Sequence, residues 1–235
     1  MAGELIAVGA ERARTGPWRG DRHVALLTPV PDGPPPSSAF IRRCLDELAS
    51  RGYRRVVTGA LAPAEQLGFL DAGFEVAEEL YLLAHDMRDL APRPRLPLRR
   101  GRREDHQAVL VVDAASFSPF WRLDEAGLID TLQATPRVRF RVAHDRDDAV
   151  IGYAIVGRAG RRGYLQRLAV APDARLGGLG SALVLDGLWW LRRWRVTRAL
   201  VNTQHGNEGA LALYERLGFA PEPIGLSVLE AECGD

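Results

Sequence analysis

The sequence predicts an α/β fold in which strands and helices combine as in a three-layer sandwich. Three observations predict it. Strand-like and helix-like patterns alternate along the chain, the same order of elements occurs twice, and the composition is globular, with 46% hydrophobic and 26% charged residues. Such a composition excludes a wholly disordered or fibrous chain. A length of 235 residues suits one or two domains.

The charge balance and the cysteines exclude several classes of function. The chain has 31 basic residues, all arginine, against 30 acidic ones. The near-zero balance argues against nucleic acid as the main partner, and the lack of lysine excludes Schiff-base chemistry on lysine. Cys44 and Cys233 lack metal-ligand spacing, so we expect no metal and a reducing, cytoplasmic location. The first residues lack a basic and apolar leader, and no apolar run reaches about 18 residues, so we expect no membrane partner.

A proline- and arginine-rich segment divides the chain. Residues 88–103 contain three prolines and seven arginines, which breaks any hydrophobic period and favours extended backbone. We therefore predict one domain over residues 1–90, a linker over 91–103 that leads into a first strand, and a second domain over 95–235.

Before the linker, strands are predicted from runs of apolar and β-branched residues, and helices from apolar residues three and four apart that end at a glycine. The predicted elements are a strand at His23–Pro29, a loop at Pro31–Ser38, a helix at Ala39–Gly52, a strand at Tyr53–Leu61, a helix at Ala64–Gly73 and a strand at Ala77–Met87.

After the linker, the same patterns predict a longer series. It comprises helices at His106–Phe117 and Asp124–Thr135, strands at Arg139–Asp145 and Ala149–Gly160 joined by a polar turn, a strand at Tyr164–Pro172, a helix at Ser181–Trp194, a strand at Arg198–Thr203, a helix at Asn207–Gly218 and a strand at Ile224–Glu232. The helix at Ser181–Trp194 carries three tryptophans, at least one of which must leave its sheet-facing stripe. We expect these tryptophans to pack against the other half or a second subunit, which is compatible with a homodimer.

The two halves repeat one pattern in the same order and at nearly equal separations. LDELASRGYRRVV and LGFLDAGF in the first half echo LWWLRRWRVTRALV and LALYERLGF in the second. An internal duplication is the economical explanation, although common strand and helix signals could also coincide.

A glycine cluster lies between a predicted strand and a predicted helix of the second half. Such a bend lets consecutive N–H groups converge, and the helix N-terminus adds its positive dipole, so the two together suit a diphosphate. The alternative is a plain flexible turn. The residues of the cluster are Arg175, Leu176, Gly177, Gly178, Leu179, Gly180 and Ser181.

Three further features agree with one family. Leu168-Ala169-Val170-Ala171-Pro172 precedes the cluster, Arg175, Gly178 and Gly180 match a diphosphate signature, and Asn207 is followed by Ala210, Tyr214 and Leu217-Gly218-Phe219. In these motifs the chain, from about residue 95 to 232, resembles the GNAT superfamily of acyl-CoA-dependent N-acyltransferases. The resemblance implies a GNAT fold, with a mixed, mostly antiparallel sheet flanked by helices and a partial GNAT-like repeat at the N-terminus. It also implies acetyl-CoA as cosubstrate.

The resemblance also implies roles for individual residues. The backbone of Leu168, Ala169 and Val170 would hold the pantetheine arm, with the N–H of Val170 polarising the acyl carbonyl. Asn207 would lie near the pantetheine, and Tyr214 would be the general acid that protonates the leaving thiolate. The alternatives are an N-cap without a ligand for Asn207 and a core aromatic for Tyr214.

No general base can be assigned. Many family members carry a glutamate where this chain has Gln166 or Asn202, and neither side chain usefully accepts a proton. The ribosomal-protein N-terminal acetylases carry a glutamate at the place of Asn202, which puts that substrate class in doubt. His205 titrates in the useful range, but a solvated role is an alternative. Proton loss through water and capture of a neutral amine both remain open.

The acceptor wall is predicted from an aromatic cluster between two helices. Phe117, Phe120, Trp121 and the neighbouring Arg122 lie where this family builds that wall, although they could equally bury a corner of the core. Asn202 is a further candidate contact to the substrate.

The first half lacks the features that carry the chemistry. Pro34, Pro35 and Pro36 remove three N–H donors at the place of the glycines, and alignment sets Phe69 opposite Tyr214 and Ala62 opposite Asn207. We therefore expect a degenerate, non-catalytic GNAT-like half joined to a complete catalytic domain. The predicted function is transfer of an acetyl group from acetyl-CoA to a primary amine, on a protein N-terminus or a small molecule. The alternative is a non-catalytic acyl-CoA-binding sensor or structural subunit.

Overall fold

The computed structural model describes residues 4–30, 33–93 and 95–234, in two compact units. The first unit comprises Met1–Leu82, Thr203–Gly206 and Glu222–Asp235, and the second comprises Leu83–Asn202 and Asn207–Pro221. The first unit thus takes up the C-terminal segment as well as the N-terminal part of the chain. Pro31 and Asp32 of the predicted loop and Pro94 of the predicted linker lie outside the described residues.

The first unit contains a mostly antiparallel sheet and two helices. The strand order is β1-β2-β3-β4-β12-β5, and only β3 and β4 run parallel. Its elements are β1 Glu4–Val8, β2 Glu11–Pro17, β3 Val24–Pro29, α1 Ser38–Ser50, β4 Arg55–Thr58, α2 Pro63–Leu70, β5 Glu75–His85, whose last three residues belong to the second unit, and the C-terminal β12 Leu226–Glu232.

Helix α1 forms because its apolar residues recur on one face. Phe40, Ile41, Cys44 and Leu48 are all buried in the core of the first unit. The hydroxyl of Ser37 caps the helix by accepting the N–H of Phe40 at 3.2 Å, which satisfies one of the free donors at its start. The core therefore fixes this helix along its whole length.

The second unit contains the longer series of elements. The strand order is β6-β7-β8-β9-β10, with β9 and β10 parallel and the other pairs antiparallel. Its elements are β6 Leu98–Arg100, α3 His106–Ser116, α4 Glu125–Gln133, β7 Arg137–His144, β8 Val150–Ala159, β9 Arg162–Val170, α5 Leu179–Arg193, β10 Arg198–Gln204, whose last two residues belong to the first unit, α6 Glu208–Arg216 and β11 Ala220–Pro221.

Helices cover both faces of the strands of this unit. Tyr153 and Ile155 of β8 face the core formed with α3 and α4, whereas Ala154 between them faces Leu179 and Leu183 of α5. Successive side chains of a strand point to opposite faces, so the unit has three layers. The predicted α/β class and the mixed, mostly antiparallel sheet are confirmed.

Two of the tryptophans of α5 contact residues of their own unit, and the packing of this helix against the other half or a second subunit stays a prediction. Trp189 donates its indole N–H to the carbonyl of Ala91 at 2.9 Å, and the guanidinium of Arg93 lies 4.9 Å from its ring centre. Trp189 therefore packs against the linker segment of its own unit, because the extended, proline-rich backbone there leaves carbonyl groups free to accept. Trp194 is half exposed, with Arg158 stacked on its ring.

None of the helices in the described parts of the chain is long and apolar enough to cross a membrane.

Candidate active site

The bend between β9 and α5 carries the predicted glycine cluster. Gly178 is the N-cap of α5 with a φ of 78°, and Leu176 before it has a φ of 66°. The N–H of Ala182 donates to the carbonyl of Gly178 at 3.0 Å as the first bond of the helix. The N–H groups of residues 179–181 therefore have no acceptor within the helix and lie at its positive end.

The bend is open. A Cβ atom placed on Gly178 would meet no described atom within 4 Å, and the side chain of Leu176 is fully exposed. A Cβ atom on Gly180 would instead lie 3.3 Å from a methyl carbon of Leu213 and 3.9 Å from one of Val170. Glycine at position 180 thus lets the start of α5 approach both β9 and α6 closely.

The pairing between strands β9 and β10 ends before this bend. Their recorded pairing runs from Arg162↔Arg198 to Tyr164↔Leu200, whereas β9 stays paired with β8 as far as Val170. The N–H of Ala171 donates to β8 at 2.9 Å. Since the N–H groups of a strand alternate in direction, the N–H of Val170 turns away from β8, towards the open edge. The N–H of Val170 is therefore a backbone donor at the edge of β9 that faces away from β8.

The carbonyl of Val170 is held at the same edge. It accepts the hydroxyl of Ser116 at 3.1 Å and the Nε of Arg175 at 3.3 Å. The side chain of Arg175 therefore lies along the end of β9. The end of α3, which carries Ser116, is also fixed to this strand.

Tyr214 lies on α6 and is almost completely buried, with 5% of its surface exposed. Its ring packs on Phe219 at 5.7 Å between centroids, and no described residue is recorded in a hydrogen bond with its hydroxyl. Burial raises the pKa of this phenol above its ordinary value of 10, and the positive charge of Arg167 opposes this rise. The group is therefore a protonated donor at neutral pH.

The polar candidates occupy different surroundings. The side-chain oxygen of Asn207 caps α6 by accepting the N–H of Ala210 at 3.2 Å, and Asn202 is exposed on β10. Gln166 is the extra residue of a bulge in β9. Its amide oxygen is buried without a partner among the described residues, and a Cβ atom on Gly157 would lie 2.5 Å from it. Neither Gln166 nor Asn202 supplies a carboxylate.

The aromatic cluster contacts an ion pair that was not predicted from the sequence. Phe120 and Trp121 meet edge to face at 5.1 Å, and the ring of Phe117 lies 3.6 Å from the guanidinium carbon of Arg167. Arg167 pairs with Asp113, a fully buried residue of α3, at 2.7 Å. The only sign of this pair in the sequence is one charged residue in each of two apolar elements, Asp113 in the helix and Arg167 in the strand.

His205 belongs to the first unit, where its ring stacks on Tyr81 at 4.0 Å. Its Nδ1 lies 3.5 Å from a carboxylate oxygen of Glu79. The side chain is half exposed, in keeping with the solvated alternative.

In the first unit, a side chain of the same unit occupies the N-terminus of α1. The carboxylate of Glu11 accepts the N–H of Ser37 at 2.5 Å and its hydroxyl at 3.1 Å. A Cβ atom on Gly68 of α2 would lie 1.9 Å from the carbonyl oxygen of Pro36, so α2 packs directly on the loop before α1. The start of α1 therefore has an internal anion and a closely packed helix beside it, whereas the bend at Gly178 is open.

Comparison with known proteins gives the family. Residues 106–219 match the model of the acetyltransferase (GNAT) family. The chain is 32% identical over 206 residues to a mycothiol acetyltransferase of Salinispora tropica, which covers 77% of this chain and 67% of that protein. The chain belongs to the GNAT acetyltransferase family. A mycothiol acetyltransferase of Amycolatopsis mediterranei is 31% identical over 204 residues, which covers 77% of this chain and 66% of that protein. The aligned part of this GNAT protein thus spans about two thirds of the length of these relatives.

Solved structures agree on the fold of this GNAT protein. A tandem GNAT protein from the clavulanic acid biosynthesis pathway matches with a TM-score of 0.70 and 14% identity, over 96% of this chain and 80% of that one. The predicted membership of the GNAT superfamily is confirmed, and with it the assignment to an acyltransferase family.

Proposed function

We propose that this GNAT protein moves an acetyl group from acetyl-CoA to a primary amine by direct attack. The observation that carries the proposal is the open N-terminus of α5, which lies beside the unpaired edge of β9. Free N–H groups at the positive end of a helix fit a diphosphate, and an unpaired strand edge fits the amide-bearing pantetheine arm.

The proposed roles follow from these positions. The N–H groups of residues 179–181 bind the diphosphate, and the backbone of residues 168–170 holds the pantetheine. Acetyl-CoA supplies a thioester, whose carbonyl oxygen accepts a hydrogen bond from the N–H of Val170 as negative charge develops. The amine nitrogen forms a bond to the carbonyl carbon, the carbon–sulfur bond breaks, and Tyr214 gives its proton to the sulfur.

No carboxylate stands at position 166 or 202 to take the proton of the amine. Gln166 and Asn202 stand at the two places where the family carries glutamate, so we propose that the acceptor enters as the neutral amine and loses its proton to water after attack. A small-molecule acceptor related to mycothiol is favoured over a protein N-terminus. The names of two relatives and the exposed amide of Asn202 support this choice.

We assign the acyl-CoA site to the second unit and none to the first, which we propose arose by duplication and lost its site. The helix ends support the duplication, because the N–H of Phe74 bonds the carbonyl of Phe69 and the N–H of Phe219 bonds that of Tyr214 at nearly equal lengths, 3.1 and 3.0 Å. The carboxylate of Glu11 at Ser37 supports the loss. The free, buried Cys44 and Cys233 suit the cytoplasmic location that we propose for the protein.

The second candidate function is acyl-CoA binding without turnover. The absence of a carboxylate at positions 166 and 202 favours it. The unengaged hydroxyl of Tyr214 argues against it, because a protein that only binds has no chemical use for a buried phenol beside the site.

The test is acetyl-CoA binding by calorimetry, followed by thiol release with a panel of primary amines. Tyr214→Phe should leave the acetyl-CoA Kd unchanged and lower kcat by about 100-fold or more, as expected for loss of a general acid. Tyr164→Phe removes a hydroxyl from β9 of the same unit and is the matched control. Binding with no thiol release from any amine would favour the binding protein, and unchanged turnover in Tyr214→Phe would remove the acid role.

A further inference from the structure

The interior of the second unit contains an ion pair that the proposed reaction does not use. Asp113 of α3 is fully buried, and the side chain of Arg167 on β9 is 10% exposed. The two form a bidentate contact, with Nε to one carboxylate oxygen at 2.7 Å and a terminal nitrogen to the other at 2.9 Å. The hydroxyl of Tyr153 donates to the same carboxylate at 2.5 Å. Such a planar fork is specific to arginine.

The pair holds the connection between α3 and α4 at several points. A terminal nitrogen of Arg167 donates to the carbonyl of Trp121 at 2.6 Å, and Asp113 accepts the N–H of Leu123 at 2.7 Å. The ring of Phe117 lies under the guanidinium at 3.6 Å. Residues 117–123, here called the aromatic segment, are therefore fixed at the start by stacking and towards the end by two hydrogen bonds.

Arg167 also belongs to the strand that carries the reacting edge. It follows the bulge at Gln166 and precedes by three residues Val170, whose N–H faces the open edge. Its charge is close enough to Tyr214 to oppose the rise of that pKa. One side chain thus sets the position of the aromatic segment relative to the strand.

We propose that the Arg167–Asp113 pair determines acceptor specificity, by holding the aromatic segment against β9 so that amines with a flat, apolar substituent are favoured. This inference rests on the proposed function. Phe117, Phe120 and Trp121 supply the apolar surface, and Arg167 and Asp113 are positioning residues that do not touch the acceptor.

A second ion pair of the same unit provides a matched control. Arg139 of β7 and Asp186 of α5 form the same bidentate contact, at 2.6 and 2.8 Å, and their side chains are about one fifth exposed. This pair has no recorded bond to the aromatic segment. Arg139→Lys therefore removes a bidentate hydrogen bond of the same geometry at a place away from the proposed acceptor surface.

The first test is amide hydrogen exchange of the whole chain. Arg167→Lys keeps the charge and loses the fork, and it should speed exchange of residues 117–123 by about tenfold or more while β7 and β8 keep their protection. Asp113→Asn should act on the same residues, and Arg139→Lys should leave them unchanged. Faster exchange throughout the unit in Arg167→Lys, or no change at residues 117–123, would overturn the proposal.

The second test is selectivity between phenethylamine and ethylamine. Arg167→Lys should raise KM for phenethylamine by about fivefold or more and leave KM for ethylamine and the acetyl-CoA Kd within about twofold. An equal effect of Arg139→Lys, or an equal change for both amines, would show a general structural role and overturn the proposal. A wild-type chain that does not bind acetyl-CoA would overturn the proposed function and the specificity role with it. The exchange measurement would then still decide whether the pair fixes the segment.

Discussion

At the scale of single residues, the proposed diphosphate site depends on the backbone of Gly178. Its φ of 78° is strained for any residue with a Cβ, and most of all for a β-branched one. Gly178→Val should therefore weaken acetyl-CoA binding by at least about tenfold, because the bend and the N–H groups after it must move. Calorimetry measures the effect.

Gly160 provides the control for Gly178→Val. It has a φ of 55° at the turn between β8 and β9, and a Cβ atom there would also meet nothing within 4 Å. Gly160→Val should lower the thermal midpoint by a similar amount and keep the wild-type affinity. Equal loss of binding in both variants would mean that strain alone weakens the site.

The proposed chemistry at Tyr214 predicts a distinctive pH profile. Activity should rise with pH as the acceptor amine loses its proton, since no carboxylate stands at position 166 or 202 to remove it. The raised pKa of Tyr214 keeps the acid protonated, so the rate should not fall near the ordinary phenol pKa of 10. Thiol release measured with two amines of different pKa checks this. A rise in rate whose midpoint does not shift with the pKa of the amine would indicate a general base in the enzyme.

Residues that act through the backbone or through local sequence could be predicted, and residues that act through distant partners could not. The glycine bend and the cap at Asn207 follow from neighbours in the chain, and the structure has both. Asp113 and Arg167 are 54 residues apart, and each one by itself is only a charged residue within an apolar element. Only the fold brings the two together.

At the scale of elements, the end of β5 and the end of α6 meet at a buried histidine. His85 is 2% exposed, its Nδ1 accepts the N–H of Met87 at 2.9 Å, and a Cβ atom on Gly218 would lie 3.0 Å from its Nε2. Burial lowers the pKa of His85 below 6.5, although the charges of Asp86 and Asp89 and a hydrogen bond with the backbone of Leu217 oppose the shift.

This lowered pKa predicts a loss of stability in acid. Below about pH 6.5 the unfolded chain binds a proton at His85 that the folded chain does not, so the free energy of unfolding should fall as pH decreases, by at most about 1.4 kcal/mol per pH unit. Urea unfolding of the wild type and of His85→Gln would show the difference, with exposed His23→Gln as control. Parallel pH dependence in the wild type and His85→Gln would contradict the prediction.

The elements with strong hydrophobic patterns were predicted, and the weak ones were not. The six α-helices of the described residues and the strands from β3 onwards have predicted counterparts, except for the two-residue β11. The strand β6 was expected only as a strand that follows the linker. The hairpin of β1 and β2 was missed. The buried positions of β2 are Ala13 and Thr15, which are small and only weakly apolar, so the hydrophobic period of two is faint in the sequence.

At the scale of the whole molecule, the chain does not divide into units in the order of its sequence. Residues 222–235 belong to the first unit because β12 pairs with β4 and with the part of β5 that lies in that unit. Residues 203–206 belong to it as well, and the N–H of His205 donates to the carbonyl of Glu79 at 3.1 Å. Domain boundaries predicted from the sequence place every residue before or after one linker. Such a prediction cannot show that the C-terminal strand joins the first unit. The functional domains at 1–90 and 95–235 stay a prediction.

The two units also predict the stoichiometry of binding. Each has a helix N-terminus after a parallel strand, but Glu11 already bonds Ser37 at the first one, and the prolines before it provide no N–H groups. Calorimetry should therefore give one acetyl-CoA per chain. Glu11→Gln removes the internal charge and should cost about 1 kcal/mol of stability while the stoichiometry stays at one, because the prolines and the close approach of Gly68 remain. Two binding events in the wild type would show that the first unit kept a site, and a second event only in Glu11→Gln would show that the carboxylate alone had closed it.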